Sequence, residues 1–391
     1  MWEMLDRIEA MTPGQEKLKE ALKEDLFSIV GIFGPTGVGK SLFALAYGIG
    51  SVSEGKYKRL IVIRPVIDVT TGKELTVAES GPLFMELSKQ YVTDVLSGLM
   101  SWEEVEKLIR EGKVTFADSH YLKGRTFDDS IVFIDDAQSM KLESLIEAIV
   151  RVGKNSKLIV AADPIFQALR SKHQDPTSVI REILAGEARA AVIDLGIKDI
   201  VREGAKIGLR LLMEYMLRTR KLADTEQKVL EVVKLKSPDA DVITVLDVGK
   251  LATNYGISLE HVPNYLVVVK KEHLGRLVGK GGERIASIEK ELNARVRGVE
   301  LDTDISELIR AVHPVSWVWK RVVDVDFKGA YIFVEIEEGV LGAFVGQRGS
   351  YVRFLDAITR ELFGIGVKVT TSSRESKHTP EKKPKKSKKS S

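Results

Sequence analysis

Residues Gly34-Pro-Thr-Gly-Val-Gly39-Lys40-Ser41 restrict the fold more than any other stretch of the chain. They follow an apolar run, residues 28–33, and precede a helical pattern over Ser41–Ile49. The spacing GxxxxGK[ST] between a strand and a helix is that of a phosphate-binding loop. Its glycines let backbone N–H groups turn inward around phosphate oxygens. Lys40 brings a point charge to the β and γ phosphates, Ser41 offers a hydroxyl to Mg2+, and the helix N-terminus adds a favourable dipole. Gly34, Pro35, Thr36, Gly37, Val38, Gly39, Lys40 and Ser41 are therefore the expected nucleotide-binding residues, with ATP and Mg2+ as cofactors.

Such a loop needs a parallel sheet to carry it. Three more buried-strand patterns, RLIVIRPV (59–66), SIVFIDDA (130–137) and KLIVAADP (157–164), alternate with helical segments at Leu83–Leu99 and from Ser101, where Ser101 and Glu104 read as a capping box. That alternation predicts a parallel α/β sheet. The strand Ile131–Ile134 delivers Asp135 and Asp136 at its C-terminal end, where ligands of open α/β sheets bind. Asp135 is the expected Mg2+ anchor with Ser41, and Asp136 the expected general base for the attacking water. Asp163 and Gln167, after the last strand, are placed to orient water or sense the γ-phosphate.

The expected organisation is a helical lead-in (1–28), an ATPase domain (29–190), a helical connector (191–240), two small α+β domains (241–301 and 302–371) and a Lys-rich tail (372–391) unstructured on composition. The two small domains rest on a repeat. LGRLVGKGGERIASIEKEL (274–292) and LGAFVGQRGSYVRFLDAITREL (341–362) share Leu-Gly, two residues, then Val-Gly-x-x-Gly before an amphipathic helix. Trp317 and Trp319 are read as one face of an extended segment making a buried domain contact. From Ser373 onward eight basic residues face two acidic ones, so the tail carries +6 and the rest of a +3 chain carries −3. Nucleic-acid affinity must then come from local patches and the tail. The chain has no cysteine and six scattered histidines, which excludes disulfides and cysteine or paired-histidine zinc sites. With no apolar run of membrane-spanning length and no basic leader, a cytoplasmic protein is expected, with no membrane partner.

The ordered set of the phosphate loop, Ile63-Arg64-Pro65, Tyr121–Thr126, Ile134–Gln138, Arg151–Lys157 and the Asp163–Gln167 turn resembles PhoH-family ATPases over about residues 10–185. The resemblance implies a RecA-like core related to superfamily 1 helicases, and a homo-oligomer, often a hexameric ring. It implies that Gln138 and Gln167 couple the nucleotide to neighbouring elements. It also makes Arg151, Arg125 and Arg64 the candidates for a γ-phosphate arginine, in cis or from a neighbour, with Arg151 placed in the catalytic set alongside Lys40, Asp136 and Gln167. The family usually carries Asp-Glu-Ala-Gln where this chain has Asp135-Asp136-Ala137-Gln138. The region 68–81 also lacks the family's Pro-Gly loop. Both departures lean toward a slow, nucleotide-gated RNA- or ribosome-binding factor as the alternative to a helicase-like remodelling ATPase.

The repeat resembles tandem KH domains, like the paired module of NusA-type factors. In a KH turn the glycines let the backbone approach a sugar-phosphate chain, the two central residues meet phosphates, and single-stranded bases lie in the adjacent groove. The expected RNA-binding residues are Gly279, Lys280, Gly281, Gly282 and Arg284 in the first copy, and Gly346, Gln347, Arg348, Gly349 and Arg353 in the second.

Overall fold

Short runs of Val, Ile and Leu without polar alternation make strands buried on both faces, the pattern of a parallel sheet covered by helices. The computed structural model describes residues 3–67, 74–118, 121, 125–166 and 176–372. In chain order its strands are β1 (Ile29–Phe33), β2 (Arg59–Ile63), β3 (Val66–Ile67), β4 (Glu74–Leu75), β5 (Val114–Ala117), β6 (Ser130–Ile134), β7 (Lys157–Ala162) and β8 (Ala190–Asp194), then β9 (Val242–Asp247), β10 (Tyr265–Val269), β11 (Val296–Glu300), β12 (Val322–Lys328), β13 (Tyr331–Glu337) and β14 (Val367–Ser372).

The first large sheet has the order β5-β2-β6-β7-β1-β8, and every pairing in it is parallel. β1, β2, β6 and β7 are the four strands expected from the sequence. β5 and β8 are additions. β8 pairs with β1 and carries the sheet to Asp194, past the expected domain limit at 190. One strand, β7, separates the loop-bearing β1 from β6, which bears Asp135. Helix Lys40–Ser53 follows the glycine-rich turn, and helix Trp102–Arg110 begins at the expected Ser101–Glu104 capping box.

The rest of the chain builds one topology twice. In each copy two antiparallel strands are followed by a helix, a GxxG turn, a second helix and a strand that joins the sheet in parallel. The sheet orders are β11-β10-β9 and β12-β13-β14. A helix precedes each copy, Asp224–Lys236 for the first and Ser306–Val312 for the second. Val229 and Val233 of Asp224–Lys236 are buried with Val245, Val267 and Ile288, so this helix packs into the first repeat rather than bridging to it. The first repeat also inserts a helix, Val248–Asn254, between β9 and β10. Trp317 and Trp319 lie on a short 3-10 helix, Ser316–Arg321, and not on an extended segment. Trp319 packs against the core as expected, whereas Trp317 is 55% exposed.

The second repeat docks on the large sheet. One buried cluster runs from Val30 and Ile32 through Leu195 and Ile197 to Val325 and Phe327. Asp326 is the polar centre of the contact. Its carboxylate accepts the backbone N–H groups of Ile197 at 3.1 Å and Lys198 at 3.4 Å, while Lys198 pairs with Asp324. Tyr331 and Lys368 both reach Glu182 on helix Pro176–Ala185, at 2.9 and 3.2 Å.

Burial pushes the Asp326 carboxyl up to about 7, against the pull of Lys328 and Lys198 and with a further push from Asp324. A raised carboxyl favours folding while it is neutral, so its contribution is full below the ordinary value of about 4 and is lost as the pH rises through about 7. Asp326→Asn is neutral throughout. Its stability relative to the parent chain should therefore climb between about pH 4 and pH 8, by a few kcal/mol on top of any constant offset. Thermal unfolding of both chains across that range checks this, and a flat difference defeats it.

Candidate nucleotide and nucleic-acid sites

The glycine-rich turn leaves β1 with Gly37 and Gly39 at φ of 93° and 95°, conformations that side-chain-bearing residues rarely adopt. Gly39 caps helix Lys40–Ser53 in this geometry. Lys40 is buried, and its Nζ donates to the carbonyls of Gly34 at 2.7 Å and Pro35 at 2.9 Å. Burial lowers its pKa, and Asp163, Asp135 and Asp136 resist that fall. Lys40 is thus a desolvated cation held at the turn by two backbone carbonyls, with its charge supported by the nearby carboxylates.

Asp135 sits at the end of β6, buried, with its backbone N–H donating to Ile63 O at 2.9 Å. The Tyr91 hydroxyl, from helix Pro82–Val95, donates to Asp135 Oδ2, and the Ser41 hydroxyl lies near this carboxylate. Burial and the adjacent Asp136 push the Asp135 carboxyl up, while Tyr91, Ser41 and Lys40 hold it down. Ser41 and Asp135, the expected metal pair, thus stand close to one another. Their oxygen donors, one hydroxyl and one carboxylate beside a phosphate turn, suit a hard cation such as Mg2+.

Asp136 takes a left-handed backbone conformation, φ 51°. Its Oδ2 accepts from Arg64 Nε at 3.1 Å and its Oδ1 from Gln138 Nε2 at 3.2 Å. The Gln138 carbonyl in turn accepts the N–H of Asp163 at 3.0 Å. Gln138 therefore ties the end of β6 to the end of β7. Asp163 Oδ1 accepts the N–H groups of Ile165 and Phe166 at 3.1 and 2.8 Å, which fixes that turn. Arg64 lies over the Tyr91 ring, 4.4 Å from its centroid, and of the three candidate arginines it is the one found beside the carboxylates.

Arg151 lies elsewhere. It ends helix Leu142–Val150 and precedes β7, and Phe127 and Val152 bridge ahead of β6 and β7. It thus lies toward the N-terminal ends of the strands, whereas the phosphate turn follows the C-terminal end of β1. Its guanidinium donates to Arg125 O and pairs with Glu147. One chain does not bring Arg151 to its own phosphate turn. Gln167 lies outside the described residues.

Three residues support the site through contacts that the sequence reading did not assign. Gln15 is buried in the lead-in. It accepts the N–H of Met11 at 2.8 Å and donates to the carbonyl of Val38 at 3.0 Å, inside the phosphate turn. Thr12 caps helix Pro13–Lys23 and donates to Asp199 at 2.6 Å. Tyr91 is the third. Gln15 carried a signal in Thr12-Pro13-Gly14-Gln15 at a helix start, but no local pattern links position 91 to position 135.

The two GxxG turns have the same backbone. Gly279 and Gly346 have φ near 75°, Gly281 and Arg348 are both left-handed, and helices Glu283–Leu292 and Ser350–Phe363 follow. A Cβ on Gly346 would stand 2.5 Å from the Tyr351 ring, so only glycine fits there. The side chains differ. Arg284 pairs with Asp239 and donates to Arg276 O, whereas Arg348 and Arg353 join no ion pair among the described residues. Lys280, Gln347, Arg348 and Arg353 are exposed.

A parallel sheet with a glycine-rich phosphate turn after its first strand, and carboxylates at neighbouring strand ends, defines the P-loop class of α/β fold. The chain belongs to the PhoH-like protein family, whose sequence pattern matches residues 7–214. A KH domain pattern matches residues 248–338, covering the first GxxG turn and stopping short of the second. The PhoH-like protein of Bacillus subtilis (strain 168) is 27% identical over 201 residues, 50% of this chain and 60% of that protein. Protein PhoH2 of Thermobispora bispora is 30% identical over 184 residues, 45% of this chain and 41% of that protein. The chain thus spans less than two thirds of either relative. A crystal structure of a DNA replication initiation factor aligns over 81% of this chain and 91% of its own, at 15% identity and a TM-score of 0.27, a likeness too loose to carry a fold. Among the described residues no helix is long and apolar enough to cross a membrane, and no group of three or more His, Asp or Glu side chains gathers as a metal site.

Proposed function

We propose that the chain binds and hydrolyses ATP and couples its nucleotide state to single-stranded RNA held by two KH-like repeats. One contact carries the reading. A Cβ on Gly34, the first residue of the phosphate turn, would stand 2.6 Å from Leu195 O, and that same carbonyl accepts the N–H of Gly329 in the β12–β13 turn of the second repeat. Phosphate turn and second repeat lean on one backbone group.

In this reading Lys40 leaves the Gly34 and Pro35 carbonyls for the β and γ phosphates. Ser41 and Asp135 hold Mg2+, which neutralises phosphate charge when bound. Asp136 orients a water and accepts its proton as the oxygen attacks the γ-phosphorus and the bond to the bridging oxygen breaks, giving ADP and phosphate. Arg64 offsets the charge near Asp136, and Gln138 passes its position to the Asp163 turn. Arg151, far from its own turn, meets a nucleotide only where a neighbouring copy of the chain presents it.

A slower, switch-like form of the same reading is favoured by Asp136 itself, since Arg64 and Gln138 already engage both its oxygens. Steady-state ATP turnover with and without single-stranded RNA tests the proposal. Turnover that rises with RNA supports coupling, and slow turnover with nucleotide-dependent RNA affinity supports the switch. No turnover and no nucleotide-dependent RNA binding defeats both. In the same assay Arg64→Ala should lose turnover in a single chain, and unchanged turnover removes Arg64 from the site.

A further inference from the structure

The two GxxG turns share a backbone but not surroundings. The second opens on a cleft of about 420 Å³ lined by Gln347, Arg348, Ser350 and Arg353 on one side and by Tyr255 and Gly256 on the other. Tyr255 and Gly256 belong to the first repeat. They end the inserted helix Val248–Asn254, where Gly256 turns the chain at φ 67°. The cleft is therefore built between the repeats.

Its chemistry is selective. The lining holds two guanidinium groups, one amide, the Ser350 hydroxyl and the Tyr255 phenol ring, and no acidic side chain. Arg348 occupies a left-handed position, φ 51°, which Gly281 fills in the first repeat without strain. A side chain kept at such a position is a mark of functional sites. In the first repeat Arg284 is already paired with Asp239, and Lys280 is the exposed cation of the turn. The volume lies in the range of small-molecule pockets and suits a single nucleotide. Cations for phosphate beside a ring for a base is the combination that takes single-stranded nucleic acid.

We propose that one nucleotide of a single-stranded RNA seats in this cleft, its phosphates on Arg348 and Arg353 and its base stacked on Tyr255. The repeats then form a composite site centred on the second turn, not two equal sites. This rests on the RNA-binding reading above and adds to it a residue, Tyr255, that lies outside both GxxG motifs. It also puts the main RNA contact on the repeat that docks against the phosphate turn.

The test is fluorescence anisotropy of a labelled 12-nucleotide RNA of mixed sequence with the full chain, over a range of salt. Tyr255→Ala should weaken binding roughly tenfold with the salt slope unchanged, because stacking releases no counterions. Tyr255→Phe keeps the ring and should bind within about twofold of the parent chain, which also guards against a folding defect in the alanine variant. Arg348→Ala should flatten the salt slope by about 0.7, one phosphate of a single strand. Parent-like binding by Tyr255→Ala overturns the composite site while leaving the RNA reading intact. Absence of RNA binding by the parent chain overturns that reading itself. Equal affinity for the DNA strand of the same sequence overturns RNA as the occupant.

Discussion

Lys40→Ala is expected to reduce ATP turnover by at least about a hundredfold, the scale on which single charge-stabilising donors contribute to such transition states. The expectation comes from the burial of Lys40 and from its neighbours. Its Nζ is held by two carbonyls of the turn that begins at Gly34, and Asp135, Asp136 and Asp163 lie close enough to oppose its loss of charge. Alanine removes the ammonium from the turn, leaves Arg64 as the cation paired with Asp136, and leaves Asp135 and Asp163 facing an incoming triphosphate. ATP affinity should fall with turnover, since repulsion acts on the bound ground state as well. Fold integrity is read from thermal unfolding, because a loss of structure would mimic a loss of chemistry. Lys40→Arg retains the charge but not the compact point geometry of an ammonium, and should recover binding more than turnover. A folded Lys40→Ala chain with parent-like turnover would falsify the ATPase reading.

Where the sequence was legible, a local rule fixed the outcome. The phosphate turn, the strand ending in Asp135 and Asp136, the Ser101–Glu104 cap and the two GxxG turns each need particular residues at fixed short spacing, and each stands where expected. β5 and β8 gave no such signal. β5 has four residues, and β8, Ala-Ala-Val-Ile-Asp, has only two strongly strand-favouring side chains and owes its place to pairing with β1. Helix Asp224–Lys236, read as part of a connector, shows its role in the first repeat only through the packing of Val229 and Val233. Side-chain roles were less legible than backbone. Arg151 belongs to a recognisable segment, yet the chain path from β6 through helix Leu142–Val150 carries it toward the opposite end of the sheet. Arg284 and Arg353 read alike in sequence, but Asp239, distant from Arg284 in sequence, separates them. Contacts of this kind depend on tertiary placement, which spacing does not encode.

Phe327→Ala is expected to cost about 3–5 kcal/mol of stability and to disconnect RNA from turnover. Phe327 on β12 is fully buried between two rings. Phe166 meets it edge-on at 5.5 Å and Phe363 at 5.4 Å. Phe166 belongs to the turn that Asp163 holds by two hydrogen bonds, and Phe363 is the last residue of the helix that starts at the second GxxG turn. A packed line of three rings thus joins the end of β7 to the far end of that helix. Rings in edge-on contact have few alternative arrangements in a close-packed core, so a shift of the Asp163 turn passes to the helix as displacement and is not absorbed locally. The alanine variant tests stability. Phe327→Leu tests coupling, because it keeps most of the buried volume at a cost of about 1.5 kcal/mol or less while removing both ring contacts. Basal turnover and RNA affinity should then survive while RNA stimulation of turnover falls. A double-mutant cycle with Phe166→Leu should show the two losses to be non-additive, since both remove one contact. Full RNA stimulation in Phe327→Leu, or additive losses in the cycle, would mean that the signal travels by the Leu195 carbonyl shared by Gly34 and Gly329, and not through the rings.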